Sequence, residues 1–178
     1  MRFLQISFLL YIVFFPNIGS THEFAESKQF DFRKARWGMS HAEVLKSEST
    51  PVKKTSQTAL VFESVLAKKN VLVEYFFSND KLVRARYFVN QGYYDPSKHY
   101  YDFALFDKLL KQKYNEPDTF SKNWSVKKRI EEPQAVYLGY LSLVSKWKVN
   151  RSFITHTLKK DGIAGGIGHS VVFSKNAS

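Results

Sequence analysis

The sequence of 178 residues contains no cysteine. This absence excludes a disulfide framework and a lipid anchor on an N-terminal cysteine. The chain is nevertheless long enough to bury a core in one domain without disulfides or metal. An exported chain that uses no disulfide is more typical of a bacterial periplasm than of a eukaryotic secretory route.

Recognised catalytic and metal-binding patterns are also lacking. No Gly-x-Ser-x-Gly nucleophile motif and no His-Glu-x-x-His pair occurs. The histidines have none of the short spacings that place two ligands on one metal; they are His22, His41, His99, His156 and His169. His156, which alternates with Ile154 and Leu158, is expected to be a lone, partly buried strand histidine with a hydrogen-bond partner. We therefore predict no catalytic, cofactor or metal site, and an enzyme ranks third among the functional hypotheses.

No apolar run reaches the roughly 20 residues that span a bilayer. The run Phe3 to Phe15 follows a positive start and precedes the small residues Gly19 and Ser20, which is the layout of a signal peptide over residues 1–20. An uncleaved anchor is the alternative. Residues 21–35 are expected to be a mobile arm, and residues 36–178 a single domain with possible halves 36–92 and 93–178.

Acidic residues are few: 16 Asp and Glu stand against 27 Lys and Arg, which gives a net charge of +11. Such a protein favours anionic neighbours, although no nucleic-acid motif is present and no nucleic-acid partner is expected. The basic residues are scattered, so they form either a solvated surface or a functional basic face. The binding candidates among them are Arg84, Arg86, Lys146, Lys148, Lys159 and Lys160.

Two loops add further binding candidates. Tyr93 and Tyr94 could anchor an interface or cover the end of a helix. The glycine-rich run at 161–170, which includes Gly165, Gly166 and His169, could form an anion-binding nest or a plain hairpin loop.

The best-formed local signal is the start of a helix at Ser40. Ser40 and Glu43 have the spacing of a capping box, and Met39 and Val44 that of a hydrophobic staple. Trp37, just ahead, is expected to be a core residue.

Alternating and helical patterns predict the remaining elements. A helix is expected over about 100–114, with Asn115 and Pro117 at its end. Strands are expected at 58–66, 71–78, 82–89, 119–129, 135–149, 152–160 and 169–174. The pattern favours an α+β fold with an antiparallel sheet of six to seven strands and two helices on one face, arranged as two possible α-β-β-β halves.

The stretch Trp37-Gly38-Met39-Ser40-x-x-Glu43-Val44 resembles the W-G-M-S/T-x-x-E-V opening of small secreted bacterial proteins of unknown function. Lys113-Tyr114-Asn115-Glu116-Pro117 is similar to the K-Y-G-x-P turn of the same proteins, with asparagine in place of glycine. The G-M-S/T-x-x-x-V part is distantly similar to the first helix of the small subunit of the outer-membrane β-barrel assembly machinery and to the β-lactamase inhibitory proteins. These resemblances imply a fold that binds other proteins through a sheet surface without chemistry.

The leading hypothesis is therefore an exported, non-catalytic envelope or secreted protein that binds a protein or an envelope component through its sheet face or loops. The alternative is a basic module for anionic lipid headgroups or cell-wall polymers.

Overall fold

The computed structural model describes residues 30–127, 130–161 and 166–176. The predicted signal peptide at 1–20 and the part of the predicted arm at 21–29 lie outside the described residues. Within the described ranges the helices are α1 (His41–Ser47), α2 (Ser97–Tyr114) and α3 (Glu132–Leu138). The strands are β1 (Val52–Ser56), β2 (Ala59–Leu66), β3 (Lys69–Ser78), β4 (Lys81–Val89), β5 (Thr119–Trp124), β6 (Leu141–Val149), β7 (Ser152–Lys160) and β8 (Ile167–Lys175).

The strands form one antiparallel sheet in the order β1-β2-β3-β4-β8-β7-β6-β5. The predicted α+β class is confirmed, but the expected six to seven strands and two helices are corrected to eight strands and three helices within the described ranges. Helix α1 precedes β1–β4 and α2 precedes β5–β8, so each predicted half contributes four strands. The last strands of the two halves, β4 and β8, pair inside the sheet.

Helix α1 starts as its capping box predicts. The Ser40 side chain accepts from the Glu43 backbone N–H at 3.3 Å, and the Glu43 carboxylate accepts from the Ser40 N–H at 2.8 Å. Val44 is fully buried, and Met39 packs against the same core cluster. Two backbone donors that a helix end leaves unpaired are thereby satisfied, which is typically worth about 1 kcal/mol.

The predicted hairpin between β3 and β4 is present, with Asn79 and Asp80 at φ 49° and 55° in its turn. Positive φ at both central residues is the geometry of a type I′ turn. The register shifts between Phe76 and Phe77. Strict alternation along the strand predicted at 82–89 would place Val83 on the same face as Ala85, but it fails at the start of β4, where Leu82 is buried and Val83 is exposed.

Helix α2 begins at Ser97, earlier than predicted, and buries Phe103 and Phe106 against the sheet. It ends before Asn115, which adopts a positive φ of 67°. Asparagine tolerates this conformation better than most residues, so it can replace glycine at the end of the helix.

The strand predicted over 135–149 is wrong in its first part, where α3 forms instead. Pro133 lies in the first turn of α3, where a backbone N–H would have no helical partner. Gly139 ends the helix in the left-handed conformation, at φ 82°. Ala135 and Val136 are buried, so packing on the sheet decides between helix and strand here.

Strand β1 was not predicted, because all five of its residues are exposed. It is an edge strand held only by β2. A strand without a buried face leaves no hydrophobic alternation in the sequence.

Residues 31–35, expected to belong to a mobile arm, are instead folded onto the sheet. Phe32 forms a bridge with Ala35, and both are buried. The Phe32 ring lies 5.5 Å from Tyr75, 4.8 Å from Tyr87 and 4.9 Å from Phe173, between ring centroids. The folded domain thus extends ahead of the boundary predicted at residue 36.

Hydrogen bonds hold the same segment in place. Asp31 accepts from the Trp37 backbone N–H at 2.8 Å and from the Arg151 guanidinium at 2.7 Å. The buried Trp37 indole N–H donates to Ser152 Oγ at 2.9 Å, in agreement with the core role predicted for Trp37.

Alternate strand residues form one buried face that runs across both halves. One cross-strand row on this face consists of Tyr75, Ala85, Phe173, Ile154 and Trp147, all of them buried. The buried apolar residues of all three helices belong to the hydrophobic clusters on this covered face. No helix in the described part of the chain is long and apolar enough to cross a membrane.

We predict that Phe32→Ala lowers the free energy of unfolding by about 3–5 kcal/mol, because it empties a site between three aromatic rings. Phe30→Ala, at a position 47% exposed two residues earlier, is the matched control and should cost less than about 1 kcal/mol. Urea unfolding of both variants measures the difference. Equal unfolding midpoints would show that residues 30–35 are not part of the folded domain.

Candidate functional site

The sheet face opposite the helices gathers basic residues from both halves of the chain. The four central ones are Arg84 and Arg86 on β4 and Lys146 and Lys148 on β6. Each pair brackets a buried residue, Ala85 or Trp147. Because side chains alternate between the faces of a strand, all four point away from the core. This second face is termed the open face below.

Strand register places these four residues in two adjacent rows across β4, β8, β7 and β6. The rows are Arg84, Ser174, Phe153 and Lys148, and Arg86, Val172, Thr155 and Lys146. Three inter-strand spacings put the Cα atoms of the two basic residues of a row roughly 14 Å apart, and neighbouring rows lie about 7 Å apart. The four cations are therefore the corners of one compact patch.

Acidic residues are absent from these four adjacent strands: β4, β8, β7 and β6 contain no aspartate or glutamate. Arg86 is ion-paired with Glu74 on the neighbouring strand β3. No ion pair joins Arg84, Lys146 or Lys148 to an acidic residue in the described ranges. The patch therefore keeps a net positive charge.

Phenylalanine rings lie next to the cations of the patch. The Arg84 guanidinium carbon is 4.3 Å from the Phe76 ring centroid, and the Lys148 ammonium is 6.0 Å from that of Phe153. Arg86 lies 5.3 Å from the Phe88 centroid. These are cation–π distances, and they combine a positive charge with an apolar ring face at several points of the surface.

The other two basic candidates, Lys159 and Lys160, lie on opposite faces of the sheet. Lys159 is exposed and its strand position places it on the open face, whereas Lys160 points to the covered face, where its ammonium lies 6.0 Å from the Tyr137 ring centroid. In the glycine-rich run, Gly166 is exposed and its carbonyl accepts from the Asp161 N–H at 2.7 Å. Gly165 lies outside the described residues.

The two tyrosine candidates have different environments. The Tyr93 hydroxyl is hydrogen-bonded to Asp102 and accepts from Lys69 at 2.8 Å, so it ties the loop to α2 and β3. Tyr94 is fully exposed. Tyr93 therefore has a structural role in this loop, and of the two only Tyr94 presents its ring fully to solvent.

His169 is completely buried, so it cannot contact a ligand in this structure. Its Nε2 lies 2.9 Å from Nε2 of His156, which is also completely buried. The register of β7 and β8 pairs His156 with Val171 and His169 with Leu158, which makes the two histidines diagonal neighbours on the covered face. The prediction of a lone strand histidine is thus corrected to a pair.

Polar groups on α2 and β6 complete this buried cluster. The Ser145 hydroxyl donates to Asp107 Oδ1 at 2.6 Å, and His156 Nδ1 lies 3.5 Å from the same oxygen. A carboxylate only accepts, so we assign the proton of His156 to Nδ1, and its Nε2 then accepts from the Nε2–H of His169. The contact between His156 Nδ1 and Asp107, at 3.5 Å, is too long for a full hydrogen bond, so the Nδ1 atoms of both histidines have no hydrogen-bond partner among the described residues.

The electrostatics keep the histidines of the cluster uncharged. Burial lowers the pKa of His156 below 6.5, although Asp107 partly opposes this. Burial, and then the charges of His156 and His99, lower the pKa of His169 well below 6.5. Burial raises the pKa of the Asp107 carboxyl, but the neighbouring His156 and the hydrogen bond from Ser145 outweigh it, and the net shift is downward.

The cluster contains the residue types of a hydrolytic triad but not its arrangement. Ser145 is fully buried and donates to Asp107 rather than to a histidine, so no substrate reaches its oxygen. No group of three or more His, Asp or Glu side chains in the described ranges could hold a metal ion. The cluster therefore contributes to structure, and the open face remains the candidate site.

Sequence reasoning missed the histidine pair because the two residues are thirteen positions apart on different strands. A signal was present: His169 alternates with Val171 and Phe173 as His156 does with Ile154 and Leu158. Two histidines on the buried faces of successive strands meet when the strands form a hairpin.

We predict that the free energy of unfolding falls as the pH drops below about 6.5. In this pH range histidines of the unfolded chain become protonated, whereas the buried histidines of the folded protein stay neutral. The free energy of unfolding therefore falls by at most about 1.4 kcal/mol per pH unit for each histidine. His169→Leu should reduce this slope. Urea unfolding between pH 7.5 and 5 measures the slopes. A His169→Leu variant with the full wild-type slope would contradict the assignment.

Comparison of the chain with profiles of known protein families, with curated proteins and with solved structures found no match. The resemblance of the Trp37–Val44 stretch to secreted bacterial proteins stays a prediction.

Proposed function

We propose that this protein is an exported, non-catalytic binding protein that holds a linear anionic polymer of the cell envelope, such as an acidic polysaccharide, on its open face. The observation that carries the proposal is the convergence of Arg84, Arg86, Lys146 and Lys148 on a patch whose four strands contain no acidic residue. If the basic residues served only to keep the surface solvated, they would not have to lie together on one face. Clustered charge of one sign raises the local concentration of an anionic partner.

The rings beside the cations favour an extended, repeating ligand. Arg84 with Phe76 and Lys148 with Phe153 stand at the two ends of one row, roughly 14 Å apart. A polysaccharide offers an apolar sugar face and a carboxylate in each repeat, which matches a ring and a cation in each pair. A single small anion would engage only one such pair.

Thr155 and Ser174 lie on the same face between the charged corners, Thr157 and Ser170 lie in the next row of that face, and all four are partly exposed. Their hydroxyl groups can donate to and accept from the hydroxyls of a sugar chain. The surface between the cations is therefore suited to a polar polymer.

Export and the absence of catalysis are parts of the same proposal. Export rests on the signal-peptide pattern of residues 1–20 and non-catalytic action on the burial of Ser145 and the histidine pair. Anionic lipid headgroups and acidic proteins are the competing occupants of the patch, and the binding experiment separates them.

We predict that the wild-type protein binds polygalacturonate, a probe for linear acidic polysaccharides, and that binding weakens steeply between 50 and 300 mM NaCl. Exposed charges are screened within about 8 Å at physiological ionic strength. The triple variant Arg84→Gln, Lys146→Gln, Lys148→Gln should bind at least ten-fold more weakly. Isothermal titration calorimetry measures both effects.

The matched control is the triple variant Lys46→Gln, Lys98→Gln, Lys108→Gln, which removes the same charge from exposed positions on the helices. It should weaken binding less than three-fold. Equal losses in the two triple variants would mean that net charge, not the open face, holds the polymer. Binding to phosphatidylglycerol vesicles or to an acidic protein, with none to polygalacturonate, would overturn the polymer assignment.

We also predict that the mature protein begins near Thr21 and is recovered in the periplasmic or secreted fraction of a bacterial host. N-terminal sequencing of the fractionated protein measures the cleavage position. An intact Met1 on protein from the cytoplasmic fraction would refute export.

A further inference from the structure

A cleft of about 270 Å³ opens on the covered face, where the N-terminal segment crosses the end of α2 and the turn between β6 and β7. Phe30 and Arg33 form one wall, Lys113 and Tyr114 the second, and Asn150 and Arg151 the third. Because the open face lies on the other side of the sheet, this cleft is separate from the basic patch.

The floor of the cleft is apolar and partly aromatic. Phe173, Ile154 and Tyr87 form it, and they are largely or fully buried by the sheet and by Phe32. Burial raises the pKa of the Tyr87 hydroxyl, although Arg33 and Lys113 oppose this. The phenol therefore stays protonated at neutral pH and can donate a hydrogen bond.

The acidic groups near the cleft are already paired. Asp31 accepts from Arg151 and from the Trp37 backbone N–H. The buried Glu48 carboxylate accepts two hydrogen bonds from Arg33, at 2.8 and 2.9 Å.

Lys113 is therefore the cation that gives the cleft its surplus positive charge. It is exposed at the rim, its ammonium lies 5.1 Å from the Tyr114 ring centroid, and no acidic partner of it occurs in the described ranges. Lys113 and Tyr87 line the same cleft, and an ammonium and a protonated phenol both suit a carboxylate, which only accepts hydrogen bonds.

We propose that this cleft binds a small organic acid whose carboxylate meets Lys113 and the Tyr87 hydroxyl and whose aromatic or apolar body packs against the accessible walls at Phe30 and Tyr114. Ligand sites typically combine an apolar lining with a few convergent polar groups. At about 270 Å³ the cleft lies at the small end of such sites, so its ligand is smaller than a typical drug molecule. The site goes beyond the proposed polymer binding and does not depend on it.

The test uses phenylacetate as the probe and phenylacetamide, its neutral analogue of equal size, as the ligand control. Titration of the full folded chain followed by ¹H–¹⁵N NMR should shift the amide signals of Arg33, Lys113 and Arg151, with a Kd of about 1 mM. Phenylacetamide should bind at least ten-fold more weakly, because it lacks the charge.

Lys113→Gln should weaken phenylacetate binding at least five-fold, and Lys108→Gln, on the same helix but outside the cleft, should change it less than two-fold. Both positions are exposed, so both variants should fold. Equal affinity for phenylacetamide, shifts confined to other parts of the protein, no binding at 10 mM phenylacetate, or an unaffected Lys113→Gln variant would each overturn the proposal. Polygalacturonate binding by the Lys113→Gln variant should equal that of the wild type, so failure here is distinct from failure of the open-face proposal.

Discussion

The pairing of β4 with β8 is the contact on which the rest of the structure depends. It joins Arg84 to Ser174, which are ninety positions apart, and so makes one sheet from two four-stranded halves. On the covered face it sets Ala85 beside Phe173, which lets one core cross the junction. On the open face it brings the arginines of β4 within three strands of the lysines of β6. Unpaired, both strands would present exposed edges.

The same strands form both faces of this sheet, but the two faces accommodate polar and charged side chains differently. On the covered face, buried polar side chains gather where they can bond to one another, as Ser145 does with Asp107 and His156 with His169, although both histidine Nδ1 atoms lack a hydrogen-bond partner among the described residues. On the open face, water solvates the charges, so basic residues can accumulate without partners. The candidate binding sites are therefore the open face and the cleft, which lies where the helices and the N-terminal segment leave part of the covered face accessible.

Patterns that act over a few residues predicted most of the elements. The capping box at Ser40, the turn at Asn79 and Asp80 and the apolar stripe of α2 were all found where their chemistry indicated. Strand β1 lacked a signal because it buries nothing, and α3 was predicted as a strand because Ala135 and Val136 fit either element. The buried position of Phe32 was missed because the rings that bury it come from distant strands.

The sequence by itself determined the α+β class, the start of α1, the hairpin between β3 and β4, and a set of strands that carry lysine and arginine without acidic residues. Those features depend on interactions within a few positions or on composition alone. Only the tertiary structure decided that Arg84 and Lys148 share a row, that His156 meets His169, and that Lys113 stands at the rim of a cleft. The reason is register: side chains alternate every residue along a strand, so which distant residues become neighbours is set by strand pairing, and one step of slippage would send them to the opposite face.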